Sequence, residues 1–133
     1  MKILILIFMN KTKIKQFSVT DDVFGFTCYF YIGDLETCSK LMEKNHGAET
    51  DDLDYSRGCH WLMYDEIIEK SYSIIWLKQF KRTTNDYGIA VHEITHLVDR
   101  VFQNRNILIT ADNTETRAYY IEFWFKKFLD KIK

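Results

Sequence analysis

The sequence has no proline among its 133 residues and only five glycines. No proline therefore kinks or ends any element, and turns must be made by glycine, asparagine and aspartate. Cysteine is scarce and odd in number: Cys28, Cys38 and Cys59. They lack the paired close spacing of a cysteine zinc site and cannot form a disulfide framework, so reduced thiols are expected. Charge of one sign is also missing. Eighteen Lys and Arg stand against nineteen Asp and Glu, a formal net charge of −1, which disfavours a generic nucleic-acid binder. No apolar run is long enough to span a bilayer as a helix.

What is present suits one globular domain over residues 1–133. The chain is 47% hydrophobic and 16% aromatic, enough apolar surface to offset the entropy of ordering. Met1 to Met9 holds the one targeting-like segment, Lys2 followed by Ile3 to Phe8. No small-residue cleavage site follows it, so it reads as a strand or an upstream extension, and the protein as cytoplasmic.

The hydrophobic pattern gives a coarse order of elements. Lys11 to Val19 and Phe24 to Ile32 read as strands. Asp34 caps a helix from Leu35 to Asn45, stopped by Gly47. The four acids between Ala48 and Ser56 read as a solvated loop. Cys59 to Tyr64 and Ser71 to Phe80 are two more strands. Asn85 or Asp86 caps a helix to about Gln103, and Asp112 caps the last, to about Lys131. Segregated strands and helices predict α+β, with a mostly antiparallel sheet of three to five strands against three helices.

The chemistry concentrates in Val91-His92-Glu93-Ile94-Thr95-His96-Leu97-Val98-Asp99. On a helix, His92 and His96 lie on one face one turn apart and can direct both imidazoles at one metal ion. Glu93 lies beside them, within reach of a water on that ion. Ile94, Leu97, Val98 and Val101 anchor the opposite face. This is the arrangement of a zinc hydrolase. A third ligand should come from another element. Glu115 stands nineteen residues after His96, in the first turn of the last helix, with Ala118 allowing close helix approach. Glu122 shares that face, and Glu115 could instead complete a capping box with Asp112.

His92-Glu93-Ile94-Thr95-His96 followed by Glu115 and Ala118 resembles the gluzincin metallopeptidases, whose third zinc ligand is a glutamate on a following helix. The run from Glu115 to Glu122 is similar to small phage-encoded zincin-like proteins. The resemblance covers Ile89 to Leu129. It implies a zincin-like fold with the motif on the penultimate helix. It implies Zn2+ held by His92, His96 and Glu115, and Glu93 as the catalytic carboxylate. The expected activity is hydrolysis of a peptide or protein substrate, in the bacterial host cell if the chain is phage-encoded. The aspartate that larger gluzincins carry four residues after the glutamate is Tyr119 here, so Asp99 is the candidate to orient a ligand histidine.

Tyr119, Tyr120 and His60 are candidates to stabilise a tetrahedral oxyanion. The segment from Ile74 to Phe80 is the candidate edge strand for an extended peptide. His46 fits a helix C-terminus. The aromatic run around Trp124 fits a core, and the lysines from Lys126 to Lys133 fit a helix end. A second class of function remains open: a non-enzymatic, zinc-stabilised phage accessory or binding protein on the same scaffold.

Overall fold

The computed structural model describes residues 13–51 and 57–133. The expected strand or extension at Met1 to Met9 and part of the acidic loop lie outside them. Four strands form one sheet: β1 (Lys15–Thr20), β2 (Thr27–Ile32), β3 (Gly58–Asp65) and β4 (Lys70–Leu77). Three helices pack on it: α1 (Leu35–His46), α2 (Thr84–Asn104) and α3 (Thr114–Lys131).

The strand order is β1-β2-β4-β3. The outer ladders, β1 with β2 and β3 with β4, are antiparallel, while the central pair β2 and β4 is parallel. The architecture is α+β as expected, but the sheet is mixed rather than mostly antiparallel. The reason is the crossover. A parallel pair needs a long connection, and α1 supplies it by leaving β2 on one face before the β3–β4 hairpin returns.

That hairpin also corrects the expected edge. Among the described residues β4 is internal, and β3 is the edge strand on this side. The sequence of β4 explains why: Ile74, Ile75, Trp76 and Leu77 are buried in succession, as in a strand covered on both faces. β3 instead exposes Leu62 and Tyr64.

Two cores lie on the two faces of the sheet. α2 and α3 cover Phe30, Ile32, Ile75 and Leu77 with Ile94, Leu97, Trp124 and Phe128. α1 covers Tyr31, Ile74 and Trp76 with Cys38 and Met42. Cys28 and Cys38 are buried, and all three cysteines are free. Burial, with a smaller contribution from Asp34, pushes the Cys38 thiol up to about 12, so it is inert as a nucleophile.

The helix boundaries differ by a few residues from expectation, for definable reasons. Asp34 caps α1 by accepting from the Thr37 amide, and Gly47 ends it at φ 69°. α2 is capped by Thr83, with Asp86 as the reciprocal partner of a capping box rather than as the cap. Before α3, residues Ala111–Asn113 form a 3₁₀ turn, so Asp112 caps nothing and the Asp112–Glu115 box does not form.

One glycine fixes how closely β3 meets α2. A Cβ at Gly58 would lie 3.0 Å from Ile89 Cγ2, 3.1 Å from Leu77 Cδ2 and 3.2 Å from the Trp76 carbonyl oxygen. A side chain at that position would require Ile89 and Leu77 to give way by a few tenths of an ångström.

Candidate metal centre

α2 is a two-sided helix. Ala90, Ile94, Leu97, Val98 and Val101 face the core at the spacing of an amphipathic helix. His92, His96 and Arg100 form the outward stripe, each one turn from the next, and all three are exposed. The helix is pinned at several points. Asp86 accepts from the Lys81 amide at 2.6 Å and from Gln79 Nε2 at 3.3 Å. Arg117 of α3 grips both oxygens of Asp99, at 2.8 and 3.2 Å. Arg105 donates to the Phe24 carbonyl oxygen at 2.6 Å.

His92 and His96 converge. Their Nε2 atoms are 3.2 Å apart. Two nitrogens bound to one tetrahedral zinc at ordinary bond lengths are separated by about 3.4 Å, so the pair already has the bite such an ion needs. One oxygen of Glu93 joins them, all three ligand atoms lying within 4.8 Å of one another. Glu93 is only 5% exposed. Burial raises its carboxyl above the ordinary glutamate value, and the two histidines partly offset the rise. A carboxylate moved towards neutrality is better matched to accept a proton at physiological pH.

These residues lie on one wall of a cleft of about 950 Å³ between α2 and the edge strand β3. The facing wall is Arg57, Gly58, Cys59 and His60, and Arg100 lies at the far end of the α2 wall. His60 is held by a 2.7 Å hydrogen bond between its Nε2 and the buried hydroxyl of Ser73 on β4. Burial first, then the charges of His96 and Arg100, lowers its pKa to about 4.

Other expected site residues fall elsewhere. Glu115 is exposed in the first turn of α3 and is not in the His92–Glu93–His96 cluster. Nine residues separate it from the buried Trp124, which at about 100° per residue is half a turn, so the two occupy opposite faces of α3. Glu122 is exposed and paired with Lys126 at 2.6 Å. Tyr119 is 64% exposed and is not among the residues lining the cleft. Tyr120 turns inward, donating to Asp21 at 2.8 Å, which removes it as an oxyanion donor. Asp99 is committed to Arg117 rather than to a histidine. Arg57 and Arg100 were not singled out by the sequence. The fourfold spacing of His92, His96 and Arg100 was the available signal for the second of them.

His46 ends α1 as expected and does more. It lies under burial that lowers its pKa, with Nε2 2.8 Å from the Tyr31 hydroxyl and Nδ1 3.2 Å from the Tyr72 hydroxyl. It is a buttress between sheet and α1 as well as a helix end.

The two lowered histidines set a pH dependence. Their folded-state values lie below the unfolded value of about 6.5, so the unfolded chain binds protons first as pH falls. The stability they contribute is present above about pH 6.5 and is lost as pH falls below it, for His60 down to about 4. Metal-free protein should lose about 2 kcal/mol between pH 8 and 5 through His60 alone. Thermal melts across that range should show a steep acid decline in the wild type and a shallower one in His60→Asn. Equal slopes would assign the decline to other groups.

No protein-family model, curated protein or solved structure matches the chain. Among the described residues, no helix is long and apolar enough to cross a membrane.

Proposed function

We propose that this protein is a zinc-dependent metallopeptidase. The observation that carries the reading is the convergence of His92 and His96 at 3.2 Å beside a buried carboxylate, on the wall of an open cleft. Two exposed imidazoles one helical turn apart turn their Nε2 atoms towards each other at that separation. They fit a divalent ion of zinc type by donor chemistry and by bite.

Zinc, when bound there, would supply Lewis-acid polarisation of a peptide carbonyl and bring a water towards a pKa of about 7. The chain does the rest. Glu93 takes the proton of the attacking water and delivers it to the departing amine. α2 holds both imidazoles and that carboxylate on one rigid element, fixed by its capping box and by the Asp99–Arg117 pair. Among the described residues β3 pairs only with β4, so its other side is the candidate to take an extended peptide along the cleft.

An open catalytic site needs a third protein ligand. Glu115 is favoured by the resemblance to the gluzincins, although it lies outside the His92–Glu93–His96 cluster. His60 is favoured by its place in the cleft wall.

Zinc content and zinc affinity test the centre directly. Protein purified without chelator should carry about one zinc per chain. His92→Ala and His96→Ala should each abolish stoichiometric binding. The third ligand should be whichever of Glu115→Ala and His60→Ala weakens zinc by tenfold or more. A wild type that stays empty when zinc is supplied would end the metallopeptidase reading. Zinc bound without turnover of any peptide, and a fold that melts when zinc is removed, would favour the non-enzymatic scaffold.

A further inference from the structure

The cleft has an uneven charge inventory. Among the described residues that line it, the arginines are Arg57 on the β3 wall and Arg100 on the α2 wall, and the one acid is Glu93. Arg100 continues the stripe of the two histidines, one helical turn past His96, an axial step of about 6 Å. Among the described residues its guanidinium donates only to Gln103 Oε1, at 3.1 Å. Among the described residues neither Arg57 nor Arg100 has a carboxylate within 4.0 Å, the separation that defines an ion pair. The contrast with Arg117 is informative. That arginine is half-buried and spends its fork on Asp99, whereas Arg100, about 100° further round α2 than Asp99, is exposed and lines the cleft.

An arginine left with open donors in a cleft is suited to a planar anion. The guanidinium presents paired N–H groups that match a carboxylate in two parallel hydrogen bonds, and it does not deprotonate. The distance narrows the choice further. A peptide in extended form advances about 3.3 Å per residue, so a group one helical turn from the metal pair lies one or two residues from the bond being cut.

We propose that the cleft selects peptides carrying a carboxylate within two residues of the scissile bond, with Arg100 as the residue that binds it and Arg57 as a second cation at the other end. The proposal rests on the metallopeptidase reading and names its substrate class. The carboxylate can belong to an acidic side chain or to the free end of the peptide, and both present the same two oxygens to Arg100.

The test uses the full-length Glu93→Gln protein loaded with zinc, so that peptides bind without being cut. Fluorescence anisotropy compares three labelled hexapeptides: one with an internal glutamate and an amidated end, one with glutamine there and a free carboxylate, and one neutral throughout. At least one carboxylate peptide should bind about tenfold or more tightly than the neutral one, and the preference should weaken with salt. Arg100→Gln should remove that preference and leave the neutral peptide within about twofold, while Arg100→Lys should restore part of it. Which of the two carboxylate peptides responds identifies the source. Equal binding of all three, or a preference that survives Arg100→Gln, overturns the proposal and leaves the metallopeptidase reading standing. Zinc-loaded protein that binds none of the three overturns both.

Discussion

Glu93→Gln is expected to keep zinc and lose turnover. General-base catalysis by a placed carboxylate contributes about 10²–10⁴ in rate, so kcat should fall by at least about a hundredfold. Glutamine matches glutamate in size and can sit in the same 5%-exposed position, so the fold should be unaffected. The amide cannot accept the proton of the attacking water. Zinc content measured beside the rate is essential, because the Glu93 oxygen lies within 4.8 Å of both histidine donors. Zinc retained with turnover abolished assigns Glu93 as the base. Zinc lost in this variant makes Glu93 a ligand, and normal turnover removes the mechanism.

The largest effect on stability should come from a residue far from the metal pair. Asp21 is 2% exposed and organises the turn between β1 and β2. Its Oδ1 accepts from the amides of Val23 at 2.8 Å and Phe24 at 2.6 Å. Its Oδ2 accepts from the Phe26 amide at 3.1 Å and from the Tyr120 hydroxyl at 2.8 Å. One carboxylate therefore ties the first hairpin to α3. Asp21→Ala leaves those donors without partners and should cost about 3–5 kcal/mol. The melting temperature should drop by roughly 10–20 °C for a chain of this size. Tyr120→Phe removes one bond of the set and should cost about 1–2 kcal/mol. A loss under 1 kcal/mol for Asp21→Ala, measured by denaturant titration, would show that water replaces the carboxylate.

The parts of this molecule that sequence exposes are those where pattern and chemistry share one window. α2 is the clearest case. Its apolar period from Ala90 to Val101 and its two histidines are read from the same stretch, so helix, buried face and donor face emerge together. α1 is legible because Asp34 and Gly47 mark both ends. Where long-range packing decides, local pattern is silent. The parallel pairing of β2 with β4 passes over β3, the strand that follows α1 in the chain, and nothing inside β4 encodes its partner.

Glu115 shows the same limit at the site. Its distance along the chain from His96 fits a third ligand, but its direction is set by α3 as a whole. Tyr120, Trp124 and Phe128 recur at fourfold spacing and turn that face to the core, which puts Glu115 on the other. Asp99 is similar: its place on α2 suits a histidine, and only the packing of α3 reveals Arg117 as its partner.

The bare backbone at Gly58 has a consequence for the cleft above it. The missing methyl group acts as a gauge for the aperture between β3 and α2, since any added carbon must push Ile89 or Leu77 aside. The two walls are therefore spaced by one position that donates nothing to metal or peptide. Changing it would alter the clearance while every side chain of the cleft keeps its identity, so under the proposed peptidase function the breadth of peptides admitted would follow main-chain clearance.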